Sequence, residues 1–388
     1  MSELTGADAQ MSVSNHVWVD DQEGLMRAVE DLSGRPALAV DTEADSFYHY
    51  FHKCCLIQIS DGEVAYLIDP LAIDRLDALG ALMSSKSIVK VLHAAEQDVM
   101  YLRRDFGFVL HSVFDTMIGA QLLGLPGIGL ARLLETYFGV RLDKGCQRDD
   151  WSRRPLSDRQ KSYAADDVRR LIALKAVLTE ALHAKGRMSW AEEEFDLVVQ
   201  RSWDSRPFDA DDVWGIKGVR DLSPRQAAVL RRLFVMRDER ARQADLPPFR
   251  IVSDEALLAL ARRLPVSAAE LHGIKGVTPL VRRRIGDGLL EAVRLGHDDP
   301  EATPPVSSRS GRGRRKPAAA VARLLRLREW RSGEAARLGL DPGVLMPQST
   351  LEGLALRGLA AIDAPDGIVG MRRWRLDLIR PVAAQLLS

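Results

Sequence analysis

Strand signals run through the first half of this chain and then stop, and that break limits the folds open to it. Over the first 180 residues, short β-rich runs at 17–19, 37–41, 56–60, 65–68 and 88–92 alternate with segments of helical apolar spacing at 23–32, 76–83, 94–106, 114–123 and 130–137. Such alternation predicts a mixed α/β sheet with helices on its faces. The run 54–60 follows 37–43 through a short polar connection, which suits antiparallel pairing. From about residue 211 only helical patterns remain, at 224–242 and 253–263, continued by 267–271 and 279–295, with Leu246-Pro-Pro248 as a breaker. Residues 296–317 are rich in Pro, Ser, Gly and Arg and contain Ser308-Arg-Ser-Gly-Arg-Gly-Arg-Arg-Lys316, which reads as a basic, flexible linker. Helical spacing then resumes over 318–388. The expected division is therefore 1–205, 211–295, 296–317 and 318–388.

The two helical stretches look like an internal duplication. Arg237, Arg240 and Ala244 match Arg328, Arg331 and Ala335 at a constant offset, and Asp254-Glu-Ala-Leu257 parallels Gln348-Ser-Thr-Leu351 after a short insertion.

Chemistry concentrates where the second apolar run ends. Asp41 and Glu43 stand two apart at the end of 37–40, so on a strand both carboxylates project from one face. Asp98 lies near the start of a helix after a further strand. Tyr163 and Asp167, four residues apart, share one face of another helix. Each has a plainer reading alone: a lone D-x-E most often ends a strand, and a lone helical Tyr is most often half-buried packing. Converging four carboxylates costs roughly 4 kcal/mol per pair at about 4 Å and a dielectric near 20, so such a cluster calls for cations. Hard oxygen donors without His or Cys suit two Mg2+ or Mn2+ ions, which can clamp the attacking and leaving oxygens of a phosphodiester. His93 follows a buried strand and reads as a packed, hydrogen-bonded residue.

Overall charge is zero, yet residues 1–200 hold 21 Lys and Arg against 31 Asp and Glu, while 201–388 hold 33 against 23. An acidic half that needs cations precedes a basic half suited to a polyanion. Trp151, Arg153 and Arg154 are candidates for gripping a single-stranded end by stacking and phosphate contact. Lys275, in Gly273-Ile-Lys-Gly276 between two helices, is another. Gly215-Ile-Lys-Gly218 repeats those letters and reads as linker. Three cysteines, 54, 55 and 146, form no disulfide framework or metal motif. No stretch approaches a membrane span, residues 1–10 lack a secretory pattern, and a cytoplasmic setting is expected. Nothing in the sequence calls for an obligate protein partner.

Asp41-Thr-Glu43, His93-Ala-Ala-Glu-Gln-Asp98 and Tyr163-Ala-Ala-Asp-Asp167 resemble, in order, the three motifs of the DEDD exonuclease superfamily in its tyrosine-containing branch. Cys55-Leu-Ile-Gln-Ile-Ser60, Phe114-Asp-Thr116 and the stretch 147–156 around Trp151 resemble the bacterial ribonuclease D family more particularly. The segments after residue 210 resemble that family's helicase-and-ribonuclease-D C-terminal domain, present twice, the second copy a poorer match. The resemblance implies a ribonuclease-H-like exonuclease domain followed by two small all-α domains. It implies RNA as substrate, usually precursor tRNA with a single-stranded 3' end, and release of nucleoside 5'-monophosphates. It also implies that Asp41, Glu43 and Asp167 hold the metal that activates water, that Asp41 bridges to a second metal supported by Asp98, and that Tyr163 orients the water. Asp149 departs from the Ser or Thr expected before Asp150-Trp151. The carboxylates alone leave open a DNA 3'-5' exonuclease of proofreading type and a catalytically silent nucleic-acid-binding module.

Overall fold

A computed structural model describes residues 16–203, 206–303 and 317–388. The first part of the chain runs β1 His16–Val19, α1 Gln22–Leu32, β2 Ala37–Ala44, β3 Cys54–Ser60, β4 Ala65–Ile68, α2 Asp77–Ser84, β5 Val89–Leu92, α3 Glu96–Phe106, β6 Val113–Asp115 and α4 Thr116–Leu123. It continues with α5 Leu130–Phe138, α6 Asp158–Arg169, α7 Leu171–Ala184 and α8 Met188–Val198. The strands form one six-stranded sheet in the order β1-β4-β3-β2-β5-β6. β3 is antiparallel to β2 and β4, and the other neighbours are parallel. The expected mixed sheet is thus present, including the antiparallel β2–β3 pair.

Period-two alternation assigns the two faces. Ala39, Leu56, Leu67 and Val91 pack with Ala164, Val168, Leu171 and Leu174 of α6 and α7. Leu38, Val40, Ile57, Ile59 and Leu92 pack instead with Leu25 and Leu32 of α1, Leu79 of α2, and Val99 and Leu102 of α3. Asp41 and Glu43 continue the Ala39 face, so the strand delivers both acids toward α6.

One boundary differs from the sequence reading. The helix expected over 114–123 begins only at Thr116, because the Asp115 carboxylate accepts from the amides of Met117 at 2.8 Å and Ile118 at 3.2 Å and so caps it. The buried residues before it pair with β5 as a short edge strand.

The chain then continues with α9 Pro224–Ala244, α10 Pro248–Ile251, α11 Asp254–Arg263, α12 Pro279–Asp298, α13 Ala318–Leu338, α14 Pro342–Leu345, α15 Gln348–Arg357, α16 Ala360–Asp363, α17 Arg373–Ile379 and α18 Ala383–Leu387. Residues 267–271, expected to be helical, form turns in which Ser267 and the Val266 amide bond Glu270. α12 extends to Asp298, which takes Gly296, His297 and Asp298 out of the expected linker. Residues 304–316, with the basic Ser308–Lys316 stretch, lie outside the described residues.

Two compact units result. One contains 204–315 together with the β2–β3 connection, residues 45–53. Inside it, Tyr50 donates to Asp238 at 2.7 Å, and Asp245 accepts from the Phe51 amide at 3.0 Å. The other unit unites the six-stranded sheet with residues 316–388. Trp374 stacks on Trp190 at 4.7 Å, and its indole N–H donates to Glu194 at 3.1 Å. Arg375, 6% exposed, pairs with the same Glu194 at 2.8 Å.

The duplication is real in the backbone, with a different register from the sequence reading. α9, α10 and α11 superpose in number on α13, α14 and α15 at a uniform offset of 94, with no insertion. Left-handed residues coincide at that offset: Asp245 with Gly339, Leu264 with Gly358, Gly273 with Gly367 and Gly276 with Gly370. Arg237 and Arg331 are the true equivalents, each donating to the carbonyl 15 residues on, of Val252 and Met346. The repeated α12 is broken into α17, a short 3-10 turn and α18, where Pro381 interrupts the helix.

Candidate active site

Three elements deliver the acidic residues. β2 presents Asp41 and Glu43, and α6 presents Tyr163 and Asp167. A capping box starts α6, in which Ser157 and Gln160 satisfy each other's backbone amides. Carboxylate oxygens of Asp41, Glu43 and Asp167 lie within 4.8 Å of one another. Asp98 comes from the opposite layer, on α3, and stands outside that trio. Its Oδ1 accepts the Thr42 hydroxyl at 2.5 Å, and Thr42 is the residue between the two acids of β2. The structure therefore brings all four carboxylates to the end of β2, three of them in ligating range of one another.

The electrostatics report an unbalanced charge. Burial, then the neighbouring charges of Asp98, Asp167 and Glu43, push the Asp41 carboxyl well above its usual range. Glu43 is pushed the same way by burial and by Asp167, Asp98 and Asp149. Burial lifts Asp98 and Asp167 to about 7 each. Asp149, the departure from the family pattern, is thus one of the charges that Glu43 senses. The Tyr163 phenol donates to Asp167 and is raised, chiefly by burial and by that carboxylate. Half-buried acids that repel one another and offer only oxygen donors fit a divalent cation, which would remove the repulsion.

Asp41, Glu43 and Asp167 line a cleft of about 410 Å³, within the range of small-ligand sites. Its other walls hold residues that the sequence reading missed: Arg132, Lys144 and Gln147, with Gly129 and Leu130 at the start of α5. Gly129 caps α5 without a side-chain bond, so this helix turns a positive end to the cleft. These residues lie outside the three acidic motifs, and only the folded chain gathers them.

The substrate-binding expectations need correction. Trp151 is 1% exposed, its ring centroid 6.0 Å from that of Tyr163, so it braces Tyr163 and has no face free for a base. Arg154 is consumed internally: it grips Asp69 at 2.5 and 2.7 Å and donates to the carbonyls of Cys55 and Trp151, both at 2.7 Å. Arg153 remains exposed, paired with Asp150 at 3.0 Å. Lys275 belongs to the other unit, exposed and paired with Glu255 at 2.7 Å.

A mixed sheet with carboxylates at a strand end and a Tyr–Asp pair on the covering helix defines a 3'-5' exonuclease. A family model described as 3'-5' exonuclease matches residues 16–183, and one described as HRDC domain matches 226–293. Ribonuclease D of Pseudomonas paraeruginosa is 31% identical over 92% of this chain and 95% of its own length. Ribonuclease D of Sphingobium indicum is 34% identical over 80% and 81%. Among solved structures, Escherichia coli RNase D, described as an exoribonuclease involved in structured RNA processing, has 29% identity and a TM-score of 0.69, covering 96% of this chain and 98% of its own. The catalytic core of RRP6 from Trypanosoma brucei has 30% identity and a TM-score of 0.67, covering 74% and 81%. The chain belongs to the ribonuclease D family. It is a 3'-5' exoribonuclease that binds RNA, of a divalent-metal-dependent class.

Proposed function

We propose that this exoribonuclease works with two Mg2+ or Mn2+ ions, and that it trims single-stranded 3' ends of RNA, precursor tRNA among them, releasing nucleoside 5'-monophosphates. The observation that carries the reading is the Asp41–Glu43–Asp167 trio, with Asp98 held beside it by Thr42. Asp41, Glu43 and Asp167 would hold one ion, and Asp41 with Asp98 the other. Bound there, the ions would supply an acidic water and stabilise the leaving oxygen. Tyr163 is kept as an un-ionised phenol, a hydrogen-bonding post that orients water and does not take its proton. Trp151 holds that ring in place from behind. Arg132, Lys144 and the start of α5 offer the positive wall along which a phosphate backbone would lie. The DNA and binding-module readings are not favoured, since the related proteins are ribonucleases and the acidic set is intact. No helix among the described residues is long and apolar enough to cross a membrane. Three free, buried cysteines suit the cytoplasm.

Titration calorimetry with Mn2+ tests the two-ion reading. Two equivalents are expected for the wild type and fewer than two for Asp98→Asn. A single equivalent for the wild type, or full stoichiometry in the variant, would refute the assignment of the second site.

A further inference from the structure

His93 lines the same cleft as Asp41, Glu43, Tyr163 and Asp167, yet the acid-and-phenol mechanism gives it no task. Its position is built with care. β2 and β5 are parallel neighbours with Ala39 opposite Val91; Asp41 lies two residues further along β2, and His93 stands in the bend immediately after β5 ends at Leu92, so both reach the same cleft. The residue after it, Ala94, has φ 59°, a conformation that non-glycine residues rarely adopt. Asp115 holds that turn, accepting from the amides of Ala94 at 3.1 Å and Ala95 at 2.8 Å while it caps α4. Phe114-Asp-Thr116, singled out in the sequence, thus acts as the clamp on His93.

The hydrogen bonds fix which ring nitrogen carries the proton. Thr116 Oγ1 lies 3.0 Å from the Leu92 carbonyl oxygen, and only the Thr116 hydroxyl proton can join those two oxygens. That hydroxyl must therefore accept from His93 Nδ1, 2.9 Å away. In the neutral ring the proton sits on Nδ1 and the Nε2 lone pair is left bare. Burial holds the His93 pKa below its ordinary value, which keeps the ring neutral near pH 7. Among the described residues, the hydrogen bond of the His93 ring is the one at Nδ1, and none is made at Nε2. An acceptor beside the acids has few possible donors in an RNA 3' end. Phosphate oxygens cannot donate, whereas a ribose hydroxyl can.

We propose that His93 Nε2 accepts a hydrogen bond from a ribose 2'-hydroxyl of one of the last two nucleotides, making His93 a residue that selects RNA over DNA at this site. The carboxylates serve either polymer, so the discrimination has to come from a group of this kind. A site that hydrogen-bonds a substrate hydroxyl disfavours the analogue lacking it, because the acceptor is left unpaired.

The proposal rests on the exoribonuclease reading, and one experiment separates the two. Values of kcat/KM are measured with Mn2+ on an all-RNA oligonucleotide and on two versions bearing a single 2'-deoxy sugar, terminal or penultimate. No hydrolysis of the all-RNA substrate would fault the broader reading. Given hydrolysis, the wild type is expected to lose about tenfold at one of the two positions. In His93→Phe the deoxy penalty should fall to near one, and His93→Gln, which keeps an acceptor, should retain part of it. A purely packing role would lower all three substrates together. If the Phe variant does not fold, Thr116→Val frees the ring from its fixed tautomer and should shrink the same ratio. A wild type indifferent to both deoxy sugars, or a penalty unchanged in the variants, would overturn the proposal.

Discussion

Asp98 shows how much one side chain's partner can matter. It lies outside the ligating trio because Thr42 holds it, and Thr42 points away from Asp41 and Glu43 by strand alternation. The acids were legible because their spacing is a property of strands and helices. That Thr42 bridges the layers was not, since the hydroxyl becomes meaningful only once α3 is docked. The raised carboxyls also dictate how the metal-free protein responds to pH. Asp98 and Asp167 keep protons up to about 7 when folded, whereas unfolded they release them near 4, so between those values the folded state binds more protons. Stability from these groups is present below the unfolded value and is lost as pH rises toward 7. Metal-free wild type should therefore lose Tm relative to Asp167→Asn as pH rises from about 4.5 to 7.5, and Mn2+ should raise the Tm of the wild type more than that of the variant. Parallel Tm curves for the two proteins across that range would show that the acids do not repel as described.

At the level of elements, α6 is where site and core meet. Ala164 and Val168 are buried against the sheet, while Tyr163 and Asp167 look along the same helix into the cleft. Trp151 packs behind Tyr163, and sequence reasoning placed it on the substrate because an aromatic beside two arginines looks the same in either role. Burial decided between them. Trp151→Ala is expected to cost about 3–5 kcal/mol in denaturant unfolding, as large core aromatics do, with kcat falling as Tyr163 loses its brace. Base stacking would instead predict unchanged stability and a raised KM. The repeat register was misread for a related reason: identical letters at an offset of 91 outvoted a backbone match at 94. Turn geometry shared by Asp245 and Gly339 cannot be seen in residue types alone.

Across the whole molecule, charge and architecture divide along different lines. The basic half of the sequence is split between the two units, and the last seventy residues complete the exonuclease unit through Trp374, Arg375 and Glu194. Those contacts pair residues about 180 positions apart in sequence, so no local pattern announces them. Fold class and the meeting of the acids at the end of β2 were readable from motif and periodicity, whereas the cleft walls and the attachment of the last repeat depend on long-range packing. The central claim is that the acids of β2 and α6 form the hydrolytic centre of this chain. Release of nucleoside 5'-monophosphate from a 3'-labelled RNA by wild type and Asp41→Asn, with Mn2+ and with chelator, tests it most directly. The wild type should release monophosphate only with metal, and Asp41→Asn should be slower by about a thousandfold at unchanged Tm in metal. Release at the wild-type rate by Asp41→Asn, or by wild type in chelator, would contradict the account.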